Sequence, residues 1–471
     1  MNFGTHCIAK YVSLCIGILS WIFGGAVFCG FNVYAIALKQ TFNYTQTELE
    51  NIASSGNLAI LLGFPAGVVF DRFGPRMTCS VSLISTSAGF VLIWIATKYR
   101  VFFATKSWLL CLFYFLALGG TLFLVLATKV VNCQNFDKQN VGKVLALFGI
   151  INGISPAIFS ALYDGLFAQG HIEDAENQKL GEYMLMLAVL SSFINTCGVL
   201  LLEIVPGETV KPDEENRANS DKHSNGPTEV TKKMHDRTEL IPKTANRPPQ
   251  PEMNVWQIIK TIQFYYLIII CIVYGGVGES FTNNITIVLK SAHLERYAII
   301  FTVVIPICMS LGRSFGGVIP GLIFQKWPDV PKASIFLLPG ILLCISAVCV
   351  TFLNQCLNGL IFSSVILALA YGTFRSQTNV VAIEFFGLKH FGQNIGLIGI
   401  SPGIGMILFQ TLFGFNYETH STVSKNCYGE MCTRWYFVLN ATLCFCVVFL
   451  IFCLIKVERD QRLQCKELLD N

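Results

Sequence analysis

The chain has 471 residues, of which 53% are hydrophobic and 13% charged, with a formal net charge of +4. Soluble domains carry about 25% charged residues, so a water-soluble globular fold is excluded as the main architecture. The small net charge implies no nucleic-acid partner. The 18 cysteines fall mostly in apolar runs (Cys15, Cys29, Cys271, Cys308, Cys344), where they read as small packing residues, and no C-x-x-C or Cys/His cluster points to a metal.

Twelve runs reach the roughly 20 residues that a bilayer core requires. They cover 11–38, 52–70, 77–97, 107–128, 143–166, 183–204, 260–289, 297–324, 332–353, 356–383, 393–415 and 434–456. The first is too long for a signal-peptide core and lacks a small-residue cleavage site, so it is read as a retained helix. The expected fold is an all-α membrane protein of twelve transmembrane helices in two six-helix halves. The halves occupy 1–204 and 256–456, with a linker at 205–255 and a cytosolic tail at 457–471.

Between the second and third runs lies Gly-Val-Val-Phe-Asp-Arg-Phe-Gly-Pro-Arg, Gly67 to Arg76. Gly67 is small enough for two helices to approach closely. Gly74 and Pro75 break the helix, and Asp71, Arg72 and Arg76 form a charged hairpin. Lys and Arg collect on the cytosolic side of membrane proteins, so this turn and both termini are placed in the cytosol. Asp71 is expected to cap or pair across to the eleventh span, with Arg72 and Arg76 meeting carboxylates or helix C-termini. The set of Gly67, Asp71, Arg72, Gly74 and Arg76 thus reads as a gating latch.

Further along, Asn43-Tyr-Thr45 and Asn284-Ile-Thr286 are glycosylation sequons close to predicted helix ends, and neither is expected to carry a glycan. Residues 205–255 are rich in Lys, Glu, Asp, Asn and Pro and read as a disordered linker. Within them, Asp236 to Ile241 fits an acidic dileucine sorting signal, so the housing membrane is either the plasma membrane or an endolysosomal one. Cys427 and Cys432 share the last non-cytosolic loop and are either a disulfide, if that side is oxidising, or two free thiols.

Charges inside the runs carry most of the functional information. A charge at the bilayer centre costs about 2.5–3.5 kcal/mol on insertion scales, so it tends to face a cavity or a partner. Arg313 lies mid-way along the eighth run. It either holds a carboxylate through two parallel hydrogen bonds or fixes packing. Arg375, in the tenth run, is a second anion contact, a cytosolic gate or a snorkelling residue. Glu279 is the one carboxylate well inside the seventh run, suited to proton coupling or to a permanent pair with Arg313. Asn32, Tyr34 and Asn283, near the outer ends of the first and seventh runs, are placed to orient a polar ligand or to pack. Asn152, among Gly149, Gly153 and Pro156, faces a cavity or a neighbouring helix.

The halves echo each other. Gly24, Gly25, Asn32 and Lys39 recur as Gly275, Gly276, Asn283 and Lys290. Gly142, Gly149, Gly153 and Phe159 recur as Gly392, Gly399, Gly403 and Phe409. Gly321 to Lys326 is a worn copy of the opening motif, with Gln325 in the place of Asp71. A parallel repeat of this kind sets a substrate cavity between the halves near the midplane.

The pattern G-x-x-x-D-R-x-G-x-R resembles the signature of the major facilitator superfamily of transporters. Phe31 to Tyr34, Leu38-Lys39, Tyr44 to Gln46, Asn135-Phe136, Gly149 to Tyr163, Glu384 to Gly392 and Ser401-Pro402 are similar to its nodulin-like branch. The resemblance implies a transporter working by rocker-switch alternating access; the sequence has no nucleotide loop, metal cluster or nucleophile–base arrangement, so neither an enzyme nor a cofactor is expected, and a monomer is the default. The resemblance also implies a small-molecule substrate, with a co-transported proton as an option, and a monocarboxylate such as pyruvate as the best single choice. A neighbouring branch that carries large neutral amino acids has a similar Gly-Pro-Arg turn, and a non-transporting receptor is a further alternative. Monocarboxylate carriers hold the substrate carboxylate with an arginine in the eighth helix, as Arg313 would here. They place an aspartate one turn earlier, where this chain has Met309.

Overall fold

In hydrocarbon a backbone must satisfy each N–H and C=O internally, which leaves an α-helix as the solution for these apolar runs. The computed structural model describes residues 3–169, 178–205, 252–327, 329–420 and 427–470, and follows that rule throughout. The first run is α1 (Phe3–Cys29) and α2 (Phe31–Phe42), divided at Gly30. Then come α3 (Gln46–Leu58), a 3-10 turn and α4 (Gly63–Lys98). Thr45 starts α3 through a reciprocal capping box with Glu48.

The apolar stretch Thr47–Lys98 is 52 residues long. At 1.5 Å per residue it would reach about 78 Å, far more than one crossing. It folds back at Gly74, whose φ of 81° breaks α4 inside the charged motif. A side chain there would be strained in that left-handed region. Ten other helices long and apolar enough to cross a membrane accompany this one, so the described residues contain twelve crossings.

The remaining helices are the short α5 (Arg100–Phe103), then α6 (Ser107–Asn135), α7 (Lys138–Tyr163) and α8 (Leu180–Leu201). After residues 206–251 follow the short α9 (Val255–Ile258), α10 (Ile262–Ser291), α11 (Ala298–Lys326) and α12 (Leu337–Leu353). The chain ends with α13 (Leu357–Phe386), α14 (Phe391–Thr419) and α15 (Met431–Asp470). Several ends differ from expectation, among them the start of α1 at Phe3 rather than residue 11. α6 continues past 128 to Asn135, and α15 continues through the expected tail, where Glu458 accepts hydrogen bonds from the Lys332 and Ala333 N–H groups at 2.7 and 3.1 Å. The expected linker, but for its outermost residues, and the Asp236–Ile241 motif lie outside the described residues.

Apolar side chains on the outer faces meet lipid. On α11, Val303, Ile307, Leu311, Phe315 and Leu322 are exposed at helical spacing. Arg313 lies on the opposite face. The first six crossings meet the last six where small residues allow it. Gly63 and Gly67 of α4 lie against Gly396 and Gly392 of α14, and Gly142 of α7 lies against Gly317 of α11. Those contacts fall in the first two turns of α14 and α7, so the bundle is closed at the end that carries the Asp71 turn.

Candidate functional site

Four helices bring charge together inside the bundle. On α10, Gly278 leaves room for the ring of Tyr371 from α13. The Tyr371 hydroxyl donates to Glu279 Oε1 at 2.7 Å. Arg375 lies one turn beyond Tyr371 on the same face of α13, the i, i+4 relation that makes neighbours on a helix. On α11, Gly312 and Gly316 pack against the α13 backbone at Leu369 and Thr373, and the stem of Arg313 lies against Gly149 of α7. Arg313, Arg375 and Glu279 are near enough for each charge to act on the others. All three are half-buried, and so keep accessible surface although they sit within long apolar helices. Arg313 turns that surface away from lipid.

Glu279 and Arg313 form no ion pair among the described residues. Glu279 is engaged by a neutral hydroxyl instead, and two guanidinium groups lie near it. Met309, one turn before Arg313, is buried, and its carbonyl packs on Gly372 of α13. The carboxylate near Arg313 therefore comes from α10 rather than α11.

A fourth helix contributes a cation that the run-length reading missed. Because α6 extends to Asn135, Lys129 lies inside the crossing and not after it. Its Nζ sits 5.3 Å from the centroid of the Trp21 ring of α1, and its charge and that of Arg375 act on each other. The sequence signal was present. Val130 and Val131 continue the apolar run beyond the lysine, and the polar positions that follow it (Asn132, Asn135) are buried.

The other expected residues are spread out. Asn32 falls in the first turn of α2, and its side chain is outside the described set. Tyr34 is buried in an aromatic cluster, 5.6 Å from Phe31 and 5.7 Å from Tyr183 between ring centroids. Asn152 is half-buried on α7, and its backbone packs on Gly25 of α1. Asn283 is exposed towards the end of α10, and Asn284 donates to the Ser280 carbonyl at 2.8 Å. Asn43 is exposed at the left-handed turn that ends α2. Cys427 and Cys432 form a disulfide.

At the closed end, the motif residues divide. Asp71 Oδ2 accepts the Gln393 N–H at 2.8 Å. Gln393 lies in the first turn of α14, whose own N-cap residue, His390, supplies no side-chain cap. A carboxylate from the first six crossings thus satisfies an orphan donor of a helix in the last six, where the helix dipole also favours negative charge. Gln134 of α6 adds a hydrogen bond to the Leu388 carbonyl at 3.1 Å across the same seam. Arg72 and Arg76 are exposed and stand outside this contact, with Arg72 5.4 Å from the Phe73 ring centroid. Gln325, the counterpart of Asp71, is exposed.

Hydrogen bonds to a charged group contribute about 1.5–3 kcal/mol. Asp71→Asn should therefore lower transport by roughly 10-fold while membrane insertion stays intact. Uptake by reconstituted protein at matched incorporation checks this, and wild-type rates would remove Asp71 from gating.

Comparison with known proteins places these features in context. The family model described as Major Facilitator Superfamily matches residues 14–354. The chain is similar to the probable transporter MCH1 of Candida albicans, with 20% identity over 454 residues and 92% of each chain covered. It also resembles in fold the solved proton:xylose symporter XylE bound to 6-bromo-6-deoxy-D-glucose, with a TM-score of 0.64, 9% identity and 96% of each chain covered. The human organic anion transporter MFSD10 is a further structural match, with a TM-score of 0.56 at 10% identity, covering 96% of this chain and 100% of that one.

Proposed function

The chain belongs to the Major Facilitator Superfamily and is a multi-pass membrane transporter, not an enzyme, and from that premise we propose that it carries a small organic anion by alternating access. One observation carries the reading. Arg313 and Arg375 converge with a single carboxylate, Glu279, which a neutral hydroxyl already engages. The excess positive charge favours an anion, with a monocarboxylate of the pyruvate type as the simplest choice. MFSD10, which is similar in fold, is named as an organic anion transporter.

Glu279 supplies the proton-coupling step of this proposal. Protonating it removes the negative charge that offsets the arginines, so the proton and the anion each strengthen the other's binding. That linkage is reciprocal and yields symport. XylE, named as a proton:xylose symporter, shares the fold.

The disulfide between Cys427 and Cys432 supports an oxidising side at that loop. The Asp71 turn and both termini are then cytosolic, and the closed end faces the cytosol, so the arrangement is outward-facing. The protein works as a monomer in the plasma membrane or an endolysosomal membrane, with its two six-helix halves rocking about the site.

Uptake of labelled pyruvate into proteoliposomes, with and without an inward proton gradient, tests the proposal. Gradient-stimulated pyruvate uptake is the expected result. Leucine uptake indifferent to the gradient would replace the anion with a neutral amino acid. Ligand-induced stabilisation without flux of either compound would make the protein a receptor.

A further inference from the structure

We infer that the charged cluster has a second anion seat, formed by Lys129 and Trp21, and that a dicarboxylate is therefore preferred to the monocarboxylate that the arginine seat alone would take. This rests on the reading of Arg313 and Arg375 as the first seat and narrows the class of anion they receive.

Lys129 is not placed as a snorkelling lysine. α6 runs on from it to Asn135, about 9 Å at the helical rise. The ammonium group instead lies over the Trp21 ring, 5.3 Å from its centroid. The indole is held in place by stacking on Phe148 of α7, with centroids 5.4 Å apart and planes 7° from parallel. Its Nε1 is buried and has no hydrogen-bond partner. A buried N–H that donates to nothing, on a ring that an ammonium group overlies, leaves donors without an acceptor among the described residues. A carboxylate offers two oxygens and the opposite charge, and so answers both.

The charges agree with this. Among the described residues Lys129, Arg313 and Arg375 stand against Glu279, an excess of two positive charges while that carboxylate is ionised and of three once it carries the co-transported proton. In either state a dianion offsets one more positive charge than a monoanion does. The two seats come from opposite halves of the chain. Lys129 and Trp21 lie in the first six crossings, and Arg313 and Arg375 in the last six. A dicarboxylate that engages both at once bridges the halves, so binding and closure are coupled through one molecule.

Succinate and monomethyl succinate share a skeleton and differ by one charge, which makes them the probes. Binding to the full-length protein in nanodiscs is measured by ligand-induced thermal stabilisation. Wild type should bind succinate about 10-fold or more tightly than its monoester, the difference one charge-assisted contact makes. Lys129→Met should bring that ratio close to one, and Trp21→Phe, which removes the indole donor together with part of the ring but keeps an aromatic face, should lower it in part.

Equal affinity for the two probes in wild type, or an unchanged ratio in Lys129→Met, overturns the second seat while the arginine seat stands. Should Lys129→Met fail to fold, Trp21→Phe and the wild-type ratio decide alone. If neither succinate, its monoester nor pyruvate stabilises wild type, and Arg313→Lys behaves as wild type, the anion reading itself fails and this inference fails with it.

Discussion

Arg313→Ala is expected to reduce carboxylate uptake by about 10²- to 10³-fold, the largest effect of any single substitution in the charged cluster. The guanidinium is a planar fork whose paired N–H groups match a carboxylate. Removing it deletes the charge-assisted bonds and leaves the substrate charge facing apolar helix. Truncating one partner of a buried charge pair costs about 2–5 kcal/mol, because the survivor is left unpaired. The stem of Arg313 is seated on Gly149, so the methylene groups pack against α7 and only the head is free to bind. Arg313→Lys keeps charge and stem but loses the fork, and should recover a few per cent of wild-type uptake. Initial rates in proteoliposomes at matched incorporation check both variants. Near-wild-type uptake by Arg313→Ala would make Arg313 a packing residue and leave Arg375 as the anion contact.

Much of this protein is legible in its sequence, and the reason is the solvent. Because hydrocarbon forces helices, apolar run length locates nearly every crossing, and Gly74-Pro75 marks the fold-back that divides a 52-residue stretch. Single residues in apolar runs are legible for the same reason, which is how Arg313, Arg375 and Glu279 stand out. The partners are not legible. Glu279 meets Tyr371 across 92 residues, and Asp71 meets the Gln393 backbone across 322. A backbone donor carries no side-chain signature at all. The apolar run 107–128 stops short of Lys129 because a charge near the end of a run, followed by polar positions, reads as its boundary, although the helix continues to Asn135. Tyr34 shows the opposite limit. A phenol near a helix end suggests a ligand contact, yet its ring is buried among Phe31, Tyr114 and Tyr183, and only packing partners reveal that.

Gly67→Val is expected to tip the conformational equilibrium away from the state with its Asp71 end closed, by about 5- to 150-fold. The physical reason is that the collision has no soft partner. A Cβ at Gly67 would run into the Gly392 carbonyl group and lie 2.7 Å from the Gln393 Cα. Backbone atoms inside a helix cannot rotate away as a side chain can, so α4 and α14 must separate. Overpacking of this kind costs about 1–3 kcal/mol, and the cost falls only on the state in which the helices touch. The same separation pulls Asp71 from the Gln393 N–H, 2.8 Å away in the closed arrangement, so α14 loses its N-terminal cap as well. Two losses at one seam act in the same direction, which is why Gly67→Val should shift the equilibrium more than Asp71→Asn. The readout is modification of Asn283→Cys, an exposed position far from the seam, by a membrane-impermeant maleimide in a cysteine-depleted background. Labelling should slow in Gly67→Val as the outer end closes, while the circular-dichroism helix content stays at the wild-type level. Unchanged labelling would mean that the α4–α14 contact does not distinguish the two states, and that the closed end is held by the α7–α11 contact at Gly142 and Gly317 instead.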